Sequence, residues 1–345
     1  MAARFPYSGS RPAPGIEDAV PSLSAAPTAV TAVPVIQTRN LTKSYPEGPA
    51  VRGIDLTVPA GQTFGFLGPN GAGKTTTIAM LCTLTAPSAG RARVAGHDVT
   101  TDAHQVRRHI GLVFQDTTLD QGLTAWENLR FHARLHGVPA STAQTRAREL
   151  LDLAGLSHRR DSLVGTFSGG MKRRLEIVRG LMHRPRVLFL DEPTIGLDPQ
   201  TRAQIWDHLH QLRRQEGITL FLTTHYLDEA ERCDRIAIID DGRIIAEGTP
   251  AALKTVIGAD RVELRTNDDR AATAQLRDRF GLDAVADGDS LWLRVEDGAA
   301  FVPRMCAALT VAIRSVTVTR PSLDDVFFHY TGRTIRETDQ PEGRR

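Results

Sequence analysis

The stretch Gly68-Pro69-Asn70-Gly71-Ala72-Gly73-Lys74-Thr75-Thr76 carries the plainest chemistry in the chain. An apolar, strand-like run from Thr63 to Leu67 precedes it, and a helix-like run from Thr77 to Cys82 follows. This is G-x-x-x-x-G-K-[ST] in a strand-loop-helix context, the pattern of a phosphate-binding P-loop. Its glycines let successive backbone N–H groups converge on one anion, and the helix behind adds its positive end. Lys74 is placed to reach the β- and γ-phosphates of a nucleotide, and Thr75 to offer its hydroxyl to Mg²⁺. The alternative is a glycine-rich turn that merely ends in Lys-Thr; the flanking strand and helix weigh against it.

Further candidates follow along the chain. Arg186 to Leu190 is a continuous apolar run, the mark of a central strand covered on both faces, and it ends in Asp191 and Glu192. Asp191 suits Mg²⁺, held through its water shell, and Glu192 suits a base that orients or deprotonates water. Adjacent acids can also be a simple helix cap; a P-loop upstream favours the functional reading. Ser168-Gly169-Gly170 opens a helix with a capping serine and an unobstructed first turn, a second place for an anion. Gln115 ends the strand Ile110 to Phe114. There it can touch Mg²⁺ or the attacking water, or it can be an ordinary strand-terminal polar residue. His225 ends the buried strand that starts at Gly217, on the edge where open α/β sheets bind ligands. Asp198 sits in the turn Gly196 to Pro199. Tyr45 can stack on a base or pack its own strand.

The elements that must position these residues give an α/β fold. Strands are expected at 35–45, 54–58, 63–67, 91–95, 110–114, 186–190, 217–223, 235–240 and 243–247, with a hairpin turn at Asp241-Gly242. A helical insert, about 116–180, interrupts the α/β alternation; Trp126 and Phe131 within it read as core. From 260 the order becomes strand 261–265, helix 269–279, strands 282–286 and 290–295, helix 298–309 and strand 313–319. That is β-α-β-β-α-β, a small α+β unit of ferredoxin-like type. The expected organisation is a disordered extension at 1–33, a nucleotide-binding domain at 34–256, an accessory domain at 257–332 and a flexible tail at 333–345.

Composition narrows the function classes. Across 345 residues, 42 basic and 40 acidic side chains leave a net charge of +2, which argues against a strongly electrostatic nucleic-acid binder. The 3 cysteines are scattered and form neither a disulfide framework nor a zinc motif, in keeping with a reducing compartment. His208 and His210 read as surface histidines. No run approaches the roughly 18 apolar residues of a membrane-spanning helix, and no secretory signal is legible at the start.

Taken in order, the motifs resemble those of the ATP-binding cassette (ABC) ATPases over about residues 34–250. Gly68 to Thr75 match the Walker A loop, Gln115 the Q-loop and Ser168-Gly169-Gly170 the signature. Leu188 to Glu192 match Walker B with its catalytic glutamate, Asp198 the D-loop, His225 the switch histidine and Tyr45 the aromatic A-loop. The signature departs from its usual Leu-Ser-Gly-Gly-Gln: here it is Phe167-Ser-Gly-Gly-Met171, so methionine stands where glutamine makes a contact. That variant, and the stretch Pro321 to Arg333, are similar to the drug-exporter ATPases of the daunorubicin/doxorubicin resistance type. The resemblance implies ATP and Mg²⁺ as ligands and hydrolysis of ATP to ADP and phosphate. It implies that Ser168 and Gly170 close over the ATP of a second copy, in a homodimer. It further implies a separate multi-spanning permease docked on the helical insert, a place on the cytoplasmic face of the membrane, and no nucleic-acid partner. Drug or antibiotic efflux is the leading expectation. A soluble ABC switch on ribosomes or DNA, and export of lipid or polysaccharide, are the alternatives.

Overall fold

The computed structural model describes residues 34–258, 260–287, 290–333 and 335. The expected N-terminal extension lies outside them, as do most of the expected tail and part of the turn at 286–289.

Strands β1 (Pro34–Tyr45), β2 (Gly48–Pro59), β4 (Ala89–Val94) and β5 (His97–Asp98) form an antiparallel sheet in the order β2-β1-β4-β5. Between its second and third strands in sequence come β3 (Thr63–Leu67) and helix α1 (Lys74–Leu81). β3 lies in the central sheet with β6 (Ile110–Val113), β7 (Val187–Leu190), β8 (Thr219–Thr224), β9 (Arg235–Asp240) and β10 (Arg243–Gly248). The order there is β10-β9-β3-β8-β7-β6; all neighbours are parallel except β10, which pairs antiparallel with β9 at one edge. The remaining helices of this part are α2 (Ala103–His109), α3 (Ala125–Leu135), α4 (Ala140–Leu153), α5 (Gly169–Arg179), α6 (Pro199–Glu216), α7 (Leu227–Ala230) and α8 (Pro250–Ile257).

The central strands are apolar because both their faces are covered. Side chains alternate across a strand, and the two faces feed different cores. Leu188, Leu190, Leu220 and Leu222 point into a core shared with Leu129, Leu150, Leu175 and Trp206. Val187, Phe189 and Phe221 point the other way, into a core shared with Val35, Leu41, Ile54 and Phe64. Phe64 and Phe221 stack with ring centroids 5.6 Å apart. Helix ends follow from local chemistry. Thr124 forms a capping box with Glu127 at the start of α3. Asp198 caps α6, Pro199 supplies its first turn, and Gly217 ends it at φ 64°. The expected hairpin turn is present, with Asp241 at φ 44° and Gly242 at φ 75°.

A third sheet comprises β11 (Asp260–Thr266), β12 (Val285–Asp287), β13 (Ser290–Val295) and β14 (Ile313–Thr319), in the antiparallel order β12-β13-β11-β14. With α9 (Asp269–Phe280) and α10 (Gly298–Ala308) it encloses a core of its own around Leu264, Leu276, Leu293 and Met305. This is the ferredoxin-like arrangement. A last helix, α11 (Leu323–Thr331), opens with a capping box between Ser322 and Asp325. It does not pack on that sheet's core. Leu323, Val326 and Phe327 are buried with Leu253 and Ala246 in the first core, so the chain returns to the nucleotide-binding unit. Arg333 then grips both carboxylate oxygens of Asp240 at 2.9 Å.

Some side chains differ from the sequence reading. Phe131 is 58% exposed and is not a core residue, whereas Trp126 is half-buried, packed against the first core with the Arg160 guanidinium 4.2 Å from its ring. α3 turns Leu129 and Ala133 inward instead, and the face carrying Phe131 and Leu135 is left to solvent. His208 is buried rather than on the surface. Burial, with Arg174 nearby, pushes its pKa down to about 4.

Cys82 and Cys233 are buried and Cys306 is exposed. Burial, with Asp191 adding to it at Cys82 and Glu229 at Cys233, drives both buried thiols above their ordinary pKa and away from the reactive thiolate. Native protein should therefore take up maleimide at Cys306 alone, and at all 3 cysteines only after unfolding. Peptide mapping that finds Cys82 or Cys233 labelled under native conditions would contradict this packing.

Candidate functional site

The parallel register sets the site. Because β3, β6, β7 and β8 run the same way, the residues that follow them emerge at one sheet edge: the P-loop, Gln115, Asp191-Glu192 and His225. The P-loop needs its glycines for physical reasons. A Cβ on Gly68 would meet the Ile239 carbonyl at 2.3 Å. Gly73 has φ 102°, and a Cβ there would meet the Ala50 carbonyl at 2.5 Å. Beside it, the Gly242 N–H donates to the Ala72 carbonyl, so the β9–β10 turn braces the loop. Asn70, Gly71 and Thr75 are exposed, Thr76 is half-buried, and Pro69 and Ala72 are covered.

Lys74 is buried. Its Nζ donates to the carbonyls of Gly68 at 2.8 Å and Pro69 at 3.0 Å, and lies 3.3 Å from Glu192 Oε1. On the other side of Glu192, His225 Nδ1 lies 3.2 Å from Oε2, close but off the direction of a hydrogen bond. Burial alone would raise the Glu192 pKa; the His225 contact and the Lys74 charge outweigh it, and the carboxyl is held below its ordinary range. Such a group is ionised at neutral pH. Asp191 Oδ1 accepts from the Thr223 hydroxyl at 2.5 Å and from the Thr75 hydroxyl at 3.3 Å. Thr75 and Asp191 therefore present hard oxygen donors side by side, a set that suits Mg²⁺. Gln115 is exposed, just past the end of β6, and makes no side-chain hydrogen bond among the described residues. Tyr45 closes β1 with its ring 42% exposed and Lys43 Nζ 5.1 Å from its centroid.

Ser168, Gly169 and Gly170 belong elsewhere. Ser168 Oγ accepts from the Met171 N–H and caps α5, and the Ser168 side chain makes no hydrogen bond to the P-loop of its own chain. A Cβ on Gly170 would meet Thr201 Cγ2 at 2.6 Å, so the signature turn lies close against the start of α6 and a larger residue would have to displace Thr201. Asp198 is at that same start. It accepts from the Thr201 N–H at 2.9 Å and the Thr201 hydroxyl at 2.6 Å, and these bonds hold its carboxyl below the usual range. One chain thus gathers Lys74, Thr75, Asp191, Glu192 and His225 in one cluster, and Ser168, Gly169, Gly170 and Asp198 in another.

Arg173, on α5, was not singled out by the sequence. It is buried, and its guanidinium donates to Phe114 O and Pro193 O, both at 2.6 Å, and to Asp191 O, Glu192 O and Glu176 Oε2, each at 3.2 Å. Three residues on, Glu176 accepts at Oε1 from the Thr118 N–H at 2.7 Å and the Thr117 hydroxyl at 3.0 Å. Three further, Arg179 donates to Thr118 O at 2.8 Å. The stripe Arg173-Glu176-Arg179 fixes the segment around Gln115 and the backbone of both acids. Glu192 needs such support: its φ is 44°, in the left-handed region, at a cost of about 1–3 kcal/mol. Thr223 was missed as well; its hydroxyl accepts from the Glu192 N–H at 3.0 Å. The i, i+3 spacing of opposite charges on α5 was the available signal.

Comparison with known proteins gives consistent matches. Residues 51–195 match the ABC transporter family profile. The chain is 46% identical over 316 residues to the daunorubicin/doxorubicin resistance ATP-binding protein DrrA of Streptomyces peucetius, covering 89% of this chain and 95% of that protein. It is 40% identical over 321 residues to the Nod factor export ATP-binding protein I of Ralstonia nicotianae, covering 89% and 97%. A solved structure, the dimeric post-hydrolysis state of the ATP-binding cassette MJ0796 bound to ADP and Pi, superposes with a TM-score of 0.56 at 28% identity, over 62% of this chain and 98% of that one.

Removing Arg173 leaves a set of buried carbonyls without donors and Glu176 without its cation. Arg173→Met should lower unfolding free energy by about 3–5 kcal/mol, as for other broken buried pairs. Arg173→Lys should not restore it, since an ammonium cannot span the same fork of acceptors. Chemical denaturation checks both; a wild-type midpoint in Arg173→Met would contradict the role.

Proposed function

The chain belongs to the ATP-binding subunits of ABC exporters, and on that premise we propose that it hydrolyses ATP between two copies of itself to drive a drug-like or antibiotic molecule out through a separate membrane subunit. The observation that carries this reading is the separation of the two clusters. The P-loop, acids and His225 share one edge, while the Ser168 turn makes no bond to its own P-loop. A second copy, related by a two-fold axis, supplies what each lacks.

ATP phosphates entering the P-loop draw Lys74 away from Glu192. Glu192, no longer paired with that ammonium, is free to take a hydrogen bond from water and accept its proton as the water attacks in line. His225, next to Glu192, is placed to hold the γ-phosphate on the same side. The partner's signature turn closes from the other side, Ser168 through its hydroxyl and Gly170 through its backbone N–H. Asp198, at that turn's flank, lies at the same junction. Tyr45 offers a free ring face for the base. Thr75 and Asp191, with Gln115 swinging in from its exposed position, would hold Mg²⁺ there. When bound, the metal offsets phosphate charge. ATP binds the closed pair better than the open one and so shifts the population toward it; hydrolysis removes that bias.

Among the described residues, no helix is long and apolar enough to cross a membrane. We place the chain on the cytoplasmic face of the membrane, with the pathway in its partner. The exposed Phe131 and Leu135 on α3 give the insert an apolar face for docking. The drug-like substrate is the reading favoured by the resemblance to DrrA, a resistance protein.

Glu192→Gln should bind ATP, accumulate as a closed dimer and lose roughly 10²–10⁴ in turnover, the usual loss with a general base. Captured from native membranes with ATP and Mg²⁺, it should bring a multi-spanning membrane protein in equal amount. Near-normal turnover would remove Glu192 from its role; recovery with ribosomes or DNA would point to a soluble switch instead.

A further inference from the structure

Away from the nucleotide edge, His132, His136 and His183 converge. One ring nitrogen from each lies within 4.8 Å of those of the other two. His132 is in the last turn of α3 and His136 is its C-cap, so the i, i+4 spacing puts both on one helix face. His183 comes from the turn between α5 and β7. Its Nε2 is 2.8 Å from the carbonyl oxygen of Ile110, the first residue of β6. That carbonyl can only accept, so Nε2 carries the proton and Nδ1 presents a lone pair. His183 Nδ1 is buried and has no hydrogen-bond partner among the described residues. A histidine whose one nitrogen donates to a backbone carbonyl keeps the other available as a metal ligand.

We propose that His132, His136 and His183 form a binding site for a borderline divalent metal, Zn²⁺ by preference, joining the helical insert to the nucleotide-binding sheet. Neutral imidazoles suit Zn²⁺, Ni²⁺ or Cu²⁺ and not Mg²⁺, which takes oxygen donors such as those at Asp191. Three histidines with one open position is a common zinc set. The charge balance has two sides. Arg179 lies near His132, and Arg108, Arg184 and Arg146, the last paired with Glu216, line the cleft of about 510 Å³ that His136 and His183 share. Arg179 is engaged with the Thr118 carbonyl, the carbonyl end of α3 favours a cation, and an anion in the open position offsets Arg108 and Arg184.

His136 stacks on His183, with centroids 3.8 Å apart and planes 11° from parallel. Stacked rings cannot aim both lone pairs at one ion. Metal–nitrogen bonds of about 2.0–2.1 Å therefore require His136, the exposed member, to leave the stack and turn edge-on. The metal then ties α3, beside its exposed Phe131 and Leu135, to His183 and through it to the start of β6. The site stands on these residues alone and does not depend on the proposed export function.

The test uses untagged, chelator-treated full-length protein without nucleotide, titrated with Zn²⁺ by calorimetry and examined by X-ray absorption. The expected result is one Zn²⁺ per chain, with three imidazole nitrogens at about 2.0–2.1 Å and a raised melting temperature. His132→Gln and His136→Gln should each weaken binding about tenfold or more. His136→Gln changes an exposed side chain, so it reads the site even if the buried variants fold poorly, and its ATPase rate without zinc should match wild type. No zinc binding by wild type, or equal binding by His136→Gln and wild type, would overturn the proposal.

Discussion

One guanidinium, that of Arg173, ties together the loops on which the nucleotide site depends. It reaches from the signature helix to the carbonyls of Phe114, Asp191, Glu192 and Pro193. Burying a cation is costly unless every donor finds an acceptor, and here the acceptors are backbone oxygens that would themselves be unsatisfied. Burial draws the guanidinium pKa down, and Glu176 pulls it back. The result is a rigid backing for the acids. It also means that the signature helix cannot shift without disturbing the backbone on either side of the Gln115 loop.

In front of that backing, the reactive groups are held in check by one another. Lys74 and His225 flank Glu192, and the Thr75 and Thr223 hydroxyls both point at Asp191. The signature turn is satisfied separately, by its own cap and by the packing of Gly170 on Thr201. Within one chain, the two clusters therefore have separate partners.

Much of this was legible in the sequence, and for identifiable reasons. The runs at 63–67, 186–190 and 217–223 read as strands because a strand covered on both faces is mostly apolar, and the structure has strands at 63–67, 187–190 and 219–224. Asp241-Gly242 gave the hairpin and Ser168 the cap, since both depend on local backbone chemistry. The β-α-β-β-α-β order at 260–319 followed from alternation and glycine punctuation. The gaps are contacts between distant elements. Arg173 looks like any helix arginine until β6 and β7 are brought beside it. Phe131 and His208 were misplaced because α3 and α6 bury a face set by their neighbours rather than by their own hydrophobicity. The return of α11 to the first core was hidden too, because its apolar residues do not say which core they join. Of the histidine cluster, the i, i+4 pair His132 and His136 is legible locally, but His183 joins it from the distant turn before β7.

The claim that each site is built from two chains is tested most directly by mixing two inactive variants, Lys74→Ala and Ser168→Arg, and measuring ATP hydrolysis. Each alone should be inactive, one lacking its P-loop lysine and the other its signature serine. In a mixed dimer, one site joins an intact P-loop to an intact signature. The account predicts that hydrolysis returns on mixing. Continued silence of the mixture, or activity of Ser168→Arg by itself, would contradict it.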